Sequence, residues 1–356
     1  MKTLMVMAGG TGGHVFPALA VANYLREQGV RIVWLGTKSG IEAKVVPAAG
    51  FDICWMSVTG LRGKGLKRLL TMPFMLGRAL IQGIKILRRE RPDALLGMGG
   101  FAAGPGAISG VILGKPVLIH EANASAGLTN RLLAPLACRV MTGFPNTKGV
   151  SKRSEWTGNP VRNIISANKG DFESNEHRNL RVLIFGGSQG ALALNRLVPS
   201  ILAKISKTMN LEIRHQTGKA KLDEVKSDYD SLSLESNTVE FIDDMGEAYR
   251  WADIVICRSG AMTVAELCIA GKVSILVPYP YAAGDHQTAN ASFMADVNAG
   301  FLVPESELSF DRINQIFTDI TADPDRFKTI SDAALKLSRP NATQDVATQC
   351  LEVMHA

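Results

Sequence analysis

The sequence predicts an α/β protein of two facing domains, each a parallel sheet covered by helices. Three observations carry this. Short apolar strands alternate with helical stretches along the whole chain, the pattern of βαβ units with parallel strands. The unit strand, glycine-rich turn, helix is written twice, at Gly9 and at Gly186, 177 positions apart. Charge also divides along the chain: residues 1–165 carry 21 Lys and Arg against 7 Asp and Glu, and the remainder carries 18 against 26. A chain of 356 residues has length for two cores.

In the first half, residues 4–8 form an apolar strand that runs into Gly9-Gly10-Thr11-Gly12-Gly13-His14 and a helix over 17–28. Further strands are expected at 31–35, 93–97, 116–120 and 139–142. In the second half, residues 181–185 run into Gly186-Gly187-Ser188-Gln189-Gly190 and a helix over 191–206. Strands at 212–216, 239–242, 254–257 and 274–277 follow. Thr157-Gly158-Asn159-Pro160-Val161-Arg162 reads as the inter-domain connection, and the polar stretch 171–179 as a surface loop. Beyond Pro340 a last helix over about 342–354 returns across the first domain. The expected division is 1–160 and 161–338, with 339–356 packing back on the first domain.

Composition excludes several classes. No run of 18 apolar residues occurs, so no membrane span is expected. Met1-Lys2-Thr3 followed by a strand lacks the layout of a signal peptide. The 5 cysteines are scattered without a C-x-x-C pair and read as reduced thiols of the cytoplasm, neither disulfides nor a metal site. The basic first half points to a polyanion or an anionic membrane as partner.

Ligands of parallel sheets bind outside the carboxyl ends of the strands. One glycine-rich turn there can be steric accommodation only. Two in equivalent positions point to phosphate, because glycine lets the backbone approach and helix-start amides face negative charge. Neither is a dinucleotide fingerprint or a P-loop: G-x-G-x-x-G and a terminal Gly-Lys-Ser/Thr are absent, and Leu35-Gly36-Thr37-Lys38 offers no acid for a ribose. Ser259-Gly260 opens a third helix through Ala261, Met262, Thr263, Val264, Ala265 and Glu266. Its acid either complements the helix dipole or accepts hydrogen bonds from vicinal sugar hydroxyls. His14 and His120-Glu121-Ala122-Asn123 lie at strand ends on one rim, where a histidine near neutrality can take a proton from a hydroxyl. Asp285-His286-Gln287 suits hydrogen bonding to a sugar.

Residues 62–91 carry Arg62, Lys64, Lys67, Arg68, Arg78, Lys85, Arg88, Arg89 and Arg91 against Glu90 alone. Leu76, Leu80, Ile84 and Leu87 keep helical spacing and are expected in the core. Phe74 and Met75 are left over among cations, which fits an anionic lipid surface better than nucleic acid or a solvated face.

Together these segments resemble the MurG family of peptidoglycan glycosyltransferases. The likeness runs through the Gly9 turn, Gly97-Met98-Gly99-Gly100, His120-Glu121, Gly158-Asn159-Pro160-Val161-Arg162, Gly186-Gly187-Ser188-Gln189-Gly190-Ala191, Phe241-Ile242-Asp243-Asp244-Met245, Cys257-Arg258-Ser259-Gly260-Ala261 and Asp285-His286-Gln287. It implies a GT-B fold, two Rossmann-like domains about a cleft, with the lipid acceptor on the first and the nucleotide sugar on the second. It implies transfer of N-acetylglucosamine from UDP-N-acetylglucosamine to lipid I, undecaprenyl-diphosphate-N-acetylmuramoyl-pentapeptide, forming lipid II with inversion. Carried over by residue, substrate binding falls to Thr11, Gly12, Gly13, Asn123, Arg162, Ser188, Ile242, Ala261, Met262, Thr263, Val264, Ala265, Glu266 and Gln287. The general base lies between His14 and Glu121. No cofactor, metal or nucleic acid is expected. An anionic membrane surface is expected to meet residues 62–91 at the cytoplasmic face of the inner membrane, and cell-wall synthesis proteins are candidate partners. The rivals are a non-hydrolysing UDP-N-acetylglucosamine 2-epimerase, which would need no lipid, and a non-catalytic nucleotide-sugar-binding scaffold.

Overall fold

The computed structural model of the chain describes residues 1–58, 66–151, 153–161, 179–187 and 189–356, leaving out the side chains of 66–73 and of Pro324. The chain forms two compact units, Met1–Arg162 with Arg339–Ala356, and Asn163–Ser338.

The first unit holds strands β1 (Thr3–Ala8), β2 (Arg31–Gly36), β3 (Asp52–Trp55), β4 (Ala94–Gly99), β5 (Val117–Glu121), β6 (Arg139–Thr142) and β7 (Glu155–Trp156). They pair in parallel in the order β3-β2-β1-β4-β5-β6-β7. The order reverses between β1 and β4, which opens a crevice at their carboxyl ends. Helices α1 (Gly12–Glu27) and α2 (Glu42–Ala48) pack on one face. Helices α3 (Leu66–Glu90), α4 (Ala103–Ile112) and α5 (Leu128–Leu133) pack on the other. The central strands are buried on both faces, and β1 is 0% exposed from Leu4 through Ala8, which is why they read as unbroken apolar runs.

The second unit holds β8 (Leu180–Phe185), β9 (Leu211–Gln216), β10 (Asn237–Val239), β11 (Ile254–Cys257), β12 (Val273–Leu276) and β13 (Phe301–Leu302), parallel in the order β10-β9-β8-β11-β12-β13. Its reversal lies between β8 and β11. Its helices are α6 (Leu192–Ile205), α7 (Leu222–Ser231), α8 (Met245–Trp251), α9 (Ala261–Ala270), α10 (His286–Ala295), α11 (Phe310–Thr321) and α12 (Pro324–Lys336). The last helix, α13 (Ala342–His355), belongs to the first unit, where Val346, Cys350 and Met354 join the core under α1.

Three expectations need correction. Helix α1 starts at Gly12, not Pro17: the first turn of a helix lacks intrahelical partners for its amides, so glycines there cost little. Strand β10 ends at Val239, which leaves Ile242 in the loop before α8. In α3, Leu76 is 44% exposed, while Ala79, Ile86 and Leu87 are buried. Small residues set this rotation. A side chain at Gly83 would collide with Ser109 of α4, and the Ser109 hydroxyl donates to the Leu80 carbonyl at 3.2 Å. The helices meet along Ala79 and Gly83, and Leu76 turns outward while Leu87 stays in the core as expected.

Candidate active site

At the first crevice the loops after β1 and β4 touch backbone to backbone. The Gly9 amide donates to the Gly99 carbonyl at 3.2 Å, and a side chain at Gly100 (φ +93) would run into the Gly9 backbone. Only glycine combines that φ with that approach. Next to this contact α1 begins, and the His14 ring occupies the space that a side chain at Gly99 would need. The amides of Thr11, Gly12 and Gly13 belong to the helix start, where a negatively charged group is favoured.

The neighbouring amide has a different partner. Gly10 donates to Glu42 Oε2 at 2.8 Å, and Glu42 Oε1 accepts from the Thr37 amide at 3.0 Å and hydroxyl at 2.7 Å. Glu42 is 0% exposed. The Gly9 turn is therefore pinned from below by a buried carboxylate, and its anion-facing part is the start of α1, not Gly10. This acid lies beyond Leu35-Gly36-Thr37-Lys38, in α2, and faces the loop itself.

On the same rim β5 ends in His120 and Glu121, both buried. His120 Nε2 lies 2.9 Å from the Gly158 carbonyl. Burial pulls its pKa below the ordinary histidine value, and the charge of His14 acts in the same direction, against the opposing pull of Gly158 and Glu121. Glu121 accepts four hydrogen bonds. The Asn123 amide (2.9 Å) and side chain (3.1 Å) donate to Oε1; the Gly127 amide (3.1 Å) and Asn130 side chain (2.8 Å) donate to Oε2. The carboxylate ties the 122–127 loop to the start of α5.

In the second unit α9 begins with Gly260 as its extended N-cap, and Ala261, Met262 and Thr263 form its first turn at the end of the loop after β11. Glu266 lies in its second turn, half-buried, and the Tyr249 hydroxyl of α8 donates to Glu266 Oε2 at 3.0 Å. Gln287 opens α10. Its carbonyl accepts from the Ser259 hydroxyl at 2.8 Å and its side-chain oxygen from the Tyr279 amide at 2.9 Å. Asn290 Nδ2 donates to the Ser259 carbonyl at 3.1 Å. These bonds bring Gln287 to the mouth of α9, whereas the His286 ring turns to Ala283 of its own turn. Arg258, under Ser259, is held by the Val277 and Pro278 carbonyls and by Glu305. Arg162 and Ser188 lie outside the described residues. Two D-x-D triplets occur, Asp228-Tyr229-Asp230 in α7 and Asp323-Pro324-Asp325 at the start of α12, neither in a loop following a strand.

Residues 4–142 match the family model described as the Glycosyltransferase family 28 N-terminal domain, and residues 181–346 match the corresponding C-terminal domain. The chain belongs to glycosyltransferase family 28. Within the family it falls with MurG. A relative from Alkalilimnicola ehrlichii, named UDP-N-acetylglucosamine--N-acetylmuramyl-(pentapeptide) pyrophosphoryl-undecaprenol N-acetylglucosamine transferase, is 50% identical and covers 98% of both chains. One of the same name from Halorhodospira halophila is 47% identical over 100% of this chain and 99% of its own. The crystal structure of Acinetobacter baumannii MurG superposes with a TM-score of 0.84 at 37% identity, covering 99% of this chain and 100% of that one. The two parallel-sheet units are thus the Rossmann-like domains of a GT-B glycosyltransferase. Sequence reasoning missed Glu42 and Tyr249, whose bonds to Gly10 and Glu266 span 32 and 17 positions; no local pattern signals such contacts.

Proposed function

We infer that this family 28 enzyme moves N-acetylglucosamine from UDP-N-acetylglucosamine to the C4 hydroxyl of the N-acetylmuramoyl unit of lipid I, forming lipid II. The observation that carries this is 50% identity over 98% of both chains to a transferase of that name. The reaction converts an α-linked donor to a β-linked product, so one displacement inverts the anomeric carbon while a base takes the acceptor proton.

His14 is that base in our reading. It stands in the first turn of α1, beside the contact between the two glycine loops. Glu121 is the less suitable candidate, because its two oxygens already accept four donors; its role is to shape the loop that carries Asn123. On the donor side the start of α9 faces the diphosphate, Glu266 takes the ribose hydroxyls, the Ile242 backbone reads the uracil edge, and Gln287 meets the sugar. Thr11, Gly12, Gly13, Arg162 and Ser188 complete the binding of the charged donor, as the residues matching the family's motifs imply. Preorganised amides and cations placed where charge develops on the departing UDP supply electrostatic stabilisation without rearrangement.

Among the described residues no helix is long and apolar enough to cross a membrane. The membrane contact we propose is peripheral, at the cytoplasmic face, through α3. There Phe74 is 83% and Ile81 58% exposed. With Gly77 and Arg78 they line a shallow groove, and Lys85 and Arg88 are exposed further along the helix. Arg89 and Arg91 are exposed at its end, and Arg62, Lys64, Lys67 and Arg68 lie where side chains are not described.

The test is transfer of labelled N-acetylglucosamine from UDP-N-acetylglucosamine to a lipid I analogue, with UDP release measured in parallel. Interconversion of the free nucleotide sugar without an acceptor would instead make the protein an epimerase, and binding without turnover a scaffold.

A further inference from the structure

Helix α5 and the turn that continues it are inverted relative to an ordinary surface helix. Their inward side is Asn130, Leu133 and Ala134, all buried. Their outward side carries Leu128, Leu132 and Leu136 at 70%, 66% and 50% exposure. The spacing of four places these leucines along one side, where a solvated helix would carry polar residues. Core packing does not account for them, since the inward face already completes the core.

The segment that carries this rail has charges of nearly one sign. From Gly110 to Arg153 the chain carries six Lys and Arg and a single acid, Glu121, which is buried. Arg131 projects beside the leucines and lies against Gly149. Lys148 is held alongside by backbone bonds to the loop before α5: the Ala126 amide donates to the Lys148 carbonyl at 2.8 Å, and the Lys148 amide to the Ala124 carbonyl at 2.9 Å. Exposed leucines flanked by unopposed cations are complementary to an anionic lipid surface, whose headgroups meet the cations while the leucines enter the acyl boundary.

The rail also has a defined position. It begins one residue after Gly127, whose amide donates to Glu121 Oε2, so Leu128 adjoins the loop that carries Asn123. We propose that Leu128, Leu132 and Leu136 form a second membrane contact, distinct from α3, that sets the acceptor-side rim of the first unit against the bilayer. This rests on the peripheral membrane reading given above. It adds that docking through α3 alone is insufficient, and that α5 aligns the rim with the surface where a lipid-linked acceptor presents its diphosphate head.

The experiment uses the full-length enzyme and phosphatidylcholine vesicles with and without phosphatidylglycerol. Leu128→Gln with Leu132→Gln should lower partition onto the anionic vesicles roughly tenfold, with thermal unfolding and UDP binding unchanged. It should also raise KM for acceptor embedded in vesicles while leaving turnover of a short-chain, detergent-free acceptor as in the parent enzyme. Phe74→Ser with Ile81→Ser is the reference. If that pair abolishes binding and the glutamine pair binds as the parent does, the α5 contact is wrong and the α3 contact stands. Failure of the parent enzyme to bind either vesicle would remove the membrane reading itself. A glutamine pair that dissociates a dimer with vesicle binding unchanged would make the face a protein interface and overturn the proposal.

Discussion

Acidification from pH 7 to pH 5 should cost the second unit about 2 kcal/mol of stability through His215 alone. The ring is 0% exposed. Its Nδ1 lies 3.0 Å from the Tyr229 hydroxyl and its Nε2 3.2 Å from Asn195 Oδ1, while Asn195 Nδ2 donates to the Thr217 carbonyl at 3.0 Å. Because the asparagine oxygen accepts from Nε2, the ring is neutral and Nδ1 accepts from the tyrosine. Burial lowers its pKa from 6.5 to about 3. The unfolded chain therefore takes a proton near pH 6.5 that the folded chain refuses until about pH 3. Stability from this group is complete above about 6.5 and falls as the pH drops through that window. One proton over about 1.5 pH units, at about 1.36 kcal/mol each, gives the figure above. The network matters to the site because Thr217 lies where a side chain on Gly190 would have to go, so it supports the glycine turn after β8. Urea unfolding followed by hydrogen exchange in peptides from β8 and β9, in parent and His215→Gln proteins, tests this. The pH dependence should be shallower in the variant by about that amount. An imidazole signal titrating near pH 6 in the folded protein, or equal pH slopes, would refute the reasoning.

On the donor side, Glu266→Ala should weaken UDP binding by calorimetry by about 1.5–3 kcal/mol, the worth of a charged hydrogen bond. Tyr249→Phe should weaken it by a smaller amount, about 0.5–1.5 kcal/mol, and should have no further effect in the Glu266→Ala background; independent effects would separate the two residues. His14→Ala should lower kcat by roughly 10²–10⁴-fold with UDP affinity kept and remove the acidic limb of the pH–rate profile; a limb that survives would move the proton to Glu121. Co-sedimentation with anionic vesicles should fall with salt, since surface attraction is screened over about 10 Å at 0.1 M, and Phe74→Ser should reduce it without unfolding the first unit.

Most of the fold was legible because parallel strands buried on both faces are written as apolar runs. Val182-Leu183-Ile184-Phe185 and Ile254-Val255-Ile256-Cys257 pair residue for residue in the middle of their sheet. The strands that were not read, β3, β7 and β13, lie at or beside sheet edges, are two to four residues long and are only partly buried, so they carry little apolar signal. The stripe of α3 was misread for a different reason. Periodicity reports which residues share a face, and packing decides which face turns inward; in α3 small residues at Ala79 and Gly83 let α4 approach closely, and leucine spacing does not encode that.

The site was legible at the level of loops and illegible at the level of contacts, and the Gly9 turn shows why. Its sequence predicts a cradle of amides for an anion, and each glycine in it looks equivalent. Three dimensions divide them. The Gly10 amide goes to the buried carboxylate of Glu42, and Gly9 goes to Gly99, so two of the turn's donors hold the fold. Thr11, Gly12 and Gly13 instead open α1. With the Gly10 amide taken by Glu42, the anion site we propose falls to the start of α1 and not to Gly10. His14 is in that first helical turn. The carboxylate that takes the Gly10 amide thereby separates two tasks within six residues: Gly9 and Gly10 fix the backbone, and the substrate roles proposed above fall to Thr11 to His14. Glu42→Gln tests this division. The substituted amide would present a donor to one of the amides that Glu42 now accepts from, loosening the turn. Activity should fall through kcat, with the His14 limb of the pH profile broadened or shifted, while UDP binding to the second unit is unchanged. A variant that unfolds at lower temperature but keeps the parent's kcat and pH profile would leave Glu42 a structural role only.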